Sequence, residues 1–100
     1  MTKKEVKNII KNIHKELKKE YDVTIRELKD IEKDDLYYQY IIGIPNGIFN
    51  DEYTLSINKN NGYCIVHYTS TFTSISIRNL ENSLNVGKKI ETLYNKFKEQ

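Results

Sequence analysis

The segment 52–68 constrains the fold more than any other, because two alternating stretches flank the turn signal Asn60-Asn61-Gly62. Apolar and polar side chains alternate on both sides of this signal, as they do in a strand with one buried face. An Asn-Gly pair between two such stretches predicts a β-hairpin. With Asn61-Gly62 as a two-residue loop, we expect Ile57 to lie opposite Val66. The chain is therefore expected to build an antiparallel sheet.

The predicted hairpin divides its side chains between two faces. The more apolar face is expected to join the core: Tyr53, Leu55, Ile57, Cys64, Val66 and Tyr68. The opposite face carries Thr54, Ser56, Asn58, Tyr63, Ile65 and His67. Cys64, the only cysteine, and His67 are three residues apart on one strand, so their side chains point to opposite faces, ~10 Å apart along the chain. They therefore do not share a metal ion or form a nucleophile–base pair, and we expect Cys64 to be a small buried hydrophobic residue.

Helical periodicity frames the sheet at both ends of the chain. Residues 6–21 carry apolar side chains at three- and four-residue steps, and residues 2–5 have the form of a capping box. A second apolar stripe runs over 86–97. Asn85 is its expected N-cap, with 79–84 as a separate turn. These patterns predict an N-terminal and a C-terminal helix.

Between the helices the sequence predicts five strands. The first alternates over 21–25 and continues less cleanly to Ile31. The second, 36–44, has apolar residues on both faces as an interior strand does. The acidic stretch 32–35 is expected to form the turn between them. The hairpin supplies the next two strands, and 73–78 the fifth. The chain, 1–100, is thus expected to be a single α+β domain. It would be a two-layer sandwich in the order α-β-β-β-β-β-α, with an antiparallel meander sheet and both helices on one face.

Composition and charge narrow the classes of function. Lys, Asn, Ile and Tyr, which have AT-rich codons, make up 47 of the 100 residues, so the lysine count carries less functional weight than it would otherwise have. The net charge of +2 divides into +4 over 1–20, −5 over 21–52 and +3 over 53–100, which predicts a bipolar molecule. A single cysteine, short apolar stretches and no signal-peptide pattern predict a cytoplasmic protein without a membrane partner.

The sequence carries no signature of catalysis. It has no P-loop, no Gly-x-Gly-x-x-Gly and no Gly-x-Ser-x-Gly, and its four glycines are isolated. The acidic residues of 30–35 fit a solvated turn better than a calcium loop. His14 fits the border of the first helix's apolar stripe. We therefore expect no enzymatic activity, no cofactor, no metal site and no small-molecule substrate.

The sheet face that the helices leave uncovered is the strongest candidate site. It is expected to present Tyr37, Ile41, Tyr63, Ile65 and His67. Tyrosine and histidine beside exposed aliphatic residues are typical of surfaces that meet a protein partner or a second copy. The sequence therefore predicts a non-enzymatic protein-binding domain, an accessory or inhibitor protein. Small chains of this composition are often phage or mobile-element products of the anti-defence or immunity type, which is an association rather than a derivation.

A row of lysines on the first helix supports an alternative function. One sector of that helix holds Lys4, Lys7, Lys11, Lys15 and Lys18. Such a row can follow a phosphate backbone, although an ordinary solvent-exposed face in a lysine-rich chain has the same appearance. Only Arg26 and Arg78 are available for bidentate contacts, and no nucleic-acid-binding motif is present. Nucleic-acid binding is therefore the alternative to protein binding.

Overall fold

Two helices and four strands make up the regular structure of the described residues. The computed structural model describes residues 1–28, 36–46, 49–69 and 77–100. In chain order the elements are α1 (Lys3–Leu17), β1 (Thr24–Glu27), β2 (Tyr37–Asn46), β3 (Phe49–Asn58), β4 (Cys64–Thr69) and α2 (Ile77–Lys98). Terminal helices around an antiparallel sheet confirm the predicted α+β class, with one strand fewer than expected among these residues.

The first helix begins where the sequence predicts. Thr2 has an extended backbone (φ −82°, ψ 156°), and its Oγ1 accepts a hydrogen bond from the Glu5 N–H at 3.2 Å. The Glu5 carboxylate in turn accepts from the Thr2 N–H, which completes the capping box. This exchange satisfies two donors of the helix N-terminus. One stripe of α1 is buried against the sheet: Val6, Ile9, Ile10, Ile13 and Leu17.

The strands form an antiparallel meander in the order β1-β2-β3-β4. β2 and β3 pair over ten residues each, from Tyr37 opposite Asn58 to Asn46 opposite Phe49. β2 also pairs with β1, so it is the interior strand that its two apolar faces predict. β1 lies within the predicted first strand, whose alternation begins at Tyr21 and continues toward Ile31.

The loop between β3 and β4 is longer than the predicted two-residue turn. The Asn58 N–H donates to the Tyr63 carbonyl at 2.8 Å, and the Gly62 N–H donates to the Asn58 carbonyl at 2.9 Å, which encloses residues 59–62. The Asn58 side-chain oxygen also accepts from the Asn60 and Asn61 N–H groups at 2.8 and 3.1 Å. These side-chain bonds stabilise the wider loop, and Gly62 supplies its positive φ of 73°.

The wider loop changes the strand register but not the faces. Ile57 lies opposite Cys64 rather than Val66, so the predicted pairing was wrong, and the same two-residue shift applies to every predicted pair. Side chains repeat every two residues along a strand, so a shift of two leaves each one on its predicted face. Tyr53, Leu55 and Ile57 are buried as expected.

Both helices pack on the same face of the sheet, as predicted. The sheet contributes six buried apolar residues to the core: Tyr40, Ile42, Ile44, Tyr53, Leu55 and Ile57. Ile90 and Tyr94 of α2 join the buried stripe of α1 around them. At Gly87, α2 lies across the gap between β3 and β4, because an added Cβ there would be 3.6 Å from Tyr53 and 3.9 Å from Val66. The opposite face of the sheet is therefore free of both helices.

The C-terminal helix is one continuous element, which corrects two predictions. α2 runs from Ile77 to Lys98, so neither the separate turn at 79–84 nor the cap at Asn85 is present. Ile77 begins α2, and the earlier part of the predicted fifth strand lies outside the described residues, as does the acidic turn 32–35. At Ser83 a polar side chain takes the place of an apolar one on the buried side of α2. Ser83 is 3% exposed and donates to the buried Asp51 carboxylate at 3.1 Å.

Candidate interaction surface

The sheet face away from the helices is called the outer face here. Its members alternate with the buried residues of each strand: Thr24, Arg26, Tyr37, Gln39, Ile41, Gly43, Pro45, Asn50, Glu52, Thr54, Ser56, Asn58, Ile65, His67 and Thr69. Four of the five residues predicted to bind a partner belong to this set. The fifth, Tyr63, lies at its margin.

Two cross-strand rows form the middle of the outer face. In the first row, Ile41 lies between Arg26 and Thr54, and His67 follows Thr54 on β4. The second row consists of Gln39 on β2, Ser56 on β3 and Ile65 on β4. The Gln39 amide donates to the Ser56 hydroxyl at 3.1 Å, and Ser56 is only 6% exposed. Neighbouring side chains therefore cover the main chain of the central strands.

Exposed apolar and aromatic side chains concentrate at the β4 end of this surface. Ile65 is 48% exposed and Tyr63 is 70% exposed. Tyr37 and Ile41 are half-buried on β2, and His67 is exposed on β4. An isoleucine as exposed as Ile65 on an ordered strand is the kind of apolar surface that proteins commonly bury in contacts with a partner.

Tyr63 lies at the end of the outer face next to the β3–β4 loop. It precedes β4, and its ring lies 5.0 Å from the Lys98 ammonium at the end of α2. That cation–π contact holds the ring at the edge of the sheet. Tyr63 therefore borders the outer face.

The outer face is nearly uncharged. Arg26 and Glu52 are its only formally charged members among the described residues, in a chain of which 30% is charged. Depletion of charge is typical of the centre of protein–protein interfaces, whereas surfaces that follow nucleic-acid phosphates are rich in Lys and Arg. The chemistry of this face thus fits a protein better than a polyanion.

Cys64 and His67 stand on opposite faces of β4, as predicted. Cys64 is partly buried against the core, and this burial raises the pKa of its thiol, so that the neutral form is favoured. His67 is exposed on the outer face. Across the ranges that the structure describes, no three His, Cys, Asp or Glu side chains come together as metal ligands.

The five lysines of the predicted row are all exposed on α1, and together they are called the lysine face: Lys4, Lys7, Lys11, Lys15 and Lys18. None of them forms an ion pair with another described residue, whereas Lys3 and Lys19 pair with Glu27 and Glu16 at 3.2 and 3.0 Å. The opposite side of α1 packs on the sheet. The lysine face and the outer face therefore lie on opposite sides of the molecule.

His14 has a structural role at the border of α1. Its Nε2 lies 3.3 Å from the Val23 carbonyl oxygen, in a contact that joins α1 to the chain just before β1. This position agrees with the prediction of a border residue.

A buried polar network was missed from the sequence. Asp51 is 7% exposed and accepts hydrogen bonds from the Tyr68 hydroxyl at 3.0 Å and from Ser83 at 3.1 Å. The Tyr53 hydroxyl donates to the Ser83 carbonyl at 2.9 Å. Burial and the Asp51 charge raise the pKa of Tyr53 well above its usual value. The alternation of the strand could have revealed this network. Asp51 is two residues before Tyr53, so its side chain lies on the same face and points toward the helices.

Two clefts flank the first half of α2. One, of about 440 Å³, lies beside the buried network and includes Tyr21 and Lys89 in its lining. The other, of about 510 Å³, lies between α2 and β4 and is lined in part by Val66, Leu84 and Gly87. Asp51 and Ser83, whose side chains are hydrogen-bonded at 3.1 Å, both line the first cleft.

No described helix combines the length and the apolar character needed to cross a membrane. Comparisons with protein-family models, curated proteins and solved structures found no match to this chain. The outer face and the lysine face are therefore the two candidate interaction surfaces of the described residues.

Proposed function

We propose that this chain is a small, non-enzymatic protein-binding domain of the cytoplasm, an accessory or inhibitor protein that holds a protein partner on its outer face. The observation that carries the proposal is the exposed, nearly uncharged outer face opposite both helices. When one face of an antiparallel sheet is in contact with solvent, the side chains on that face are usually polar. Here Ile41, Ile65 and Tyr37 interrupt the polar set.

The architecture suits a docking platform. The outer-face side chains project from four paired strands, and β2 and β3 are each ten residues long. Side chains on a paired sheet keep their spacing, so a partner meets a largely preformed surface and little ordering entropy is lost on binding. Tyr37, Ile41 and Ile65 would supply the apolar contacts, with the polar residues around them as the rim.

The test replaces two apolar contacts with lysine at positions remote from the sheet edges. Tyr37→Lys/Ile41→Lys changes the outer face on β2, whereas Lys7→Glu/Lys11→Glu changes the opposite side of the molecule. Wild type and both variants would serve as bait in the native cytoplasm. The partner captured would then be purified and titrated against all three proteins.

The proposal predicts that Tyr37→Lys/Ile41→Lys weakens binding at least tenfold, because lysine ammonium groups lose hydration in an apolar contact. Lys7→Glu/Lys11→Glu should bind as wild type does. Circular dichroism and thermal melting would establish that each variant is folded. Equal binding by wild type and Tyr37→Lys/Ile41→Lys would refute the proposal.

Nucleic-acid binding through the lysine face is the second candidate. It is favoured by five exposed lysines in one sector of α1 that have no ion-pair partner in the described part of the chain. Each phosphate contact contributes about 0.9 to the slope of log K against log salt. Lys7→Glu/Lys11→Glu is therefore expected to lower the slope by about 1.8 if both residues contact phosphate.

A matched variant controls for the change in net charge. Lys88→Glu/Lys96→Glu makes the same change on α2. Fluorescence anisotropy with labelled DNA and RNA duplexes between 50 and 200 mM salt would measure both variants. Loss of binding in the α1 variant alone would support the second candidate. No binding by wild type at the lowest salt, or equal losses in the two variants, would exclude it.

A further inference from the structure

Among the described residues β4 is an edge strand, and the main-chain groups on its outward side have no partner there. The Asn58 N–H donates to the Tyr63 carbonyl between β3 and β4. Because hydrogen-bonded pairs recur every second residue in an antiparallel ladder, the residues at 63, 65 and 67 bond toward β3. The N–H and C=O groups of Cys64, Val66 and Tyr68 therefore point away from the sheet. They bond to no other residue in the described ranges.

This edge lacks the protection that the other edge has. β1 is only four residues long, and its Glu27 side chain forms an ion pair with Lys3 of α1. β4 has six residues, Cys-Ile-Val-His-Tyr-Thr, with no Lys, Glu, Pro or Gly among them. Charged residues, prolines and bulges are the usual means by which proteins keep an edge from pairing with another chain. β4 has none of them.

A groove continues from this edge onto the helix layer. The cleft of about 510 Å³ between β4 and α2 is lined in part by Val66, Leu84 and Gly87, and also by the charged residues Glu81, Lys88 and Glu91. Leu84 is 49% exposed. Gly87 has no side chain, so the surface of α2 is recessed beside Val66. The free main-chain edge and the exposed leucine therefore belong to one surface.

We propose that a second copy of this chain pairs with β4, so that two β4 strands run antiparallel about a two-fold axis at Val66. This register brings the unpaired main-chain groups together, with Val66 opposite its own copy and Cys64 opposite Tyr68 of the second copy. On the outer face it sets Ile65 opposite His67 of the second copy. β4 itself contains no Asp, Glu, Lys or Arg, so no pair of like formal charge meets between the two strands. The product is an eight-stranded sheet.

The helices fit the same arrangement. α2 lies across the gap between β3 and β4 at Gly87. Neighbouring strands are ~4.8 Å apart, so the two α2 helices of the pair would be two strand spacings apart, ~10 Å. This separation matches the 8–10 Å at which packed helices are found. Each Leu84 would then be covered by the helix of the other copy.

The pairing does not rest on the proposed function. Its contacts are main-chain groups of β4 and the outer side of α2. The two outer faces would lie on the same side of the dimer, because the two-fold axis runs perpendicular to the sheet. Tyr37→Lys/Ile41→Lys, on β2, should therefore leave the dimer intact.

Two charge variants test the register. Ile65→Lys/His67→Lys places two like-charged pairs across the axis, whereas Ile65→Lys/His67→Glu places two opposite-charged pairs there, at the same exposed positions. Sedimentation equilibrium between 1 and 200 μM would measure association. We expect wild type and the Lys/Glu variant to dimerise, and the Lys/Lys variant to have a dissociation constant at least tenfold higher. A wild type that is monomeric at 200 μM, or equal association of the two variants, would overturn the proposal.

A disulfide provides the second readout. Cα atoms of a hydrogen-bonded antiparallel pair are ~5.5 Å apart, within the range that a disulfide spans. In a Cys64→Ala background, Val66→Cys should form a cross-linked dimer on mild oxidation, whereas Thr54→Cys, on the outer face of β3, should remain monomeric on a non-reducing gel. Equal cross-linking of the two, or none at Val66→Cys, would contradict pairing about Val66.

Discussion

At the scale of single residues, two buried tyrosines differ in what their hydroxyls contact. The Tyr94 hydroxyl donates to the Gly62 carbonyl at 2.6 Å and so ties α2 to the β3–β4 loop. The Tyr40 hydroxyl is buried and has no hydrogen-bond partner among the described residues. Burial of an unpaired polar group costs free energy, whereas a paired one contributes to stability. Removing the hydroxyl group should therefore have different effects on stability at the two positions.

Tyr94→Phe is expected to lower the free energy of unfolding by about 1 kcal/mol, because it removes a buried hydrogen bond. Tyr40→Phe should leave stability unchanged or raise it, because it removes an unpaired hydroxyl from the core. Urea unfolding followed by circular dichroism would measure both. A loss of stability in Tyr40→Phe equal to that in Tyr94→Phe would contradict the conclusion that only the Tyr94 hydroxyl is hydrogen-bonded.

The same tyrosines predict a loss of stability at alkaline pH. Burial raises the pKa of Tyr40 and of Tyr94 to about 12. A raised pKa means that the folded state holds the neutral phenol more tightly than the unfolded state does. The stabilisation is therefore complete below pH ~10, the pKa of tyrosine in an unfolded chain, and is lost as the pH rises toward 12. Thermal melts between pH 8 and 12 should show this decline, and its absence would contradict the burial of these phenols.

At the scale of elements, replacing glycine is expected to have opposite effects on stability at two positions. Gly62 has φ of 73° in the β3–β4 loop, and an added Cβ would be 3.2 Å from the Lys98 side chain. Gly87 lies within α2, and an added Cβ would meet Tyr53 at an ordinary 3.6 Å. The first position requires glycine, and the second does not.

Gly62→Ala is expected to destabilise the protein by about 1–2 kcal/mol, because an L-residue is strained at positive φ. Gly87→Ala should be neutral or stabilise it by up to about 1 kcal/mol through helix propensity. Denaturant unfolding of the two variants gives the comparison. A stabilising Gly62→Ala would mean that the loop has a different conformation.

The elements also show where sequence reasoning succeeds and where it fails. The α1 capping box and the faces of the hairpin were predicted correctly, because both depend on local spacing. The hairpin register was wrong, because the Asn58 side chain stabilises a loop two residues wider than the Asn-Gly pair suggests. The part of α2 before Val86 was not joined to the helix, because Ser83 interrupts the apolar stripe and is buried by its contact with Asp51 on a distant strand. Periodicity does not report polar contacts between distant elements.

At the scale of the whole molecule, the fold separates two surfaces of different chemistry. α1 and α2 cover one side of the sheet, so the lysine face and the outer face point in opposite directions. The position of the outer face was predictable once both helices were assigned to one side. The contact that holds Tyr63 at its margin was not, because it is made with Lys98 at the far end of the chain.

The central claim is that the outer face, and not the lysine face, is the surface that meets a protein partner. Site-specific photocrosslinking tests it most directly, with p-benzoylphenylalanine in place of Ile41 in one protein and in place of Lys11 in another. Each protein would be irradiated in its native cells, and adducts would be identified by mass spectrometry. The account predicts a discrete protein adduct from position 41 and none from position 11. An adduct from position 11 alone, or from neither position, would contradict it.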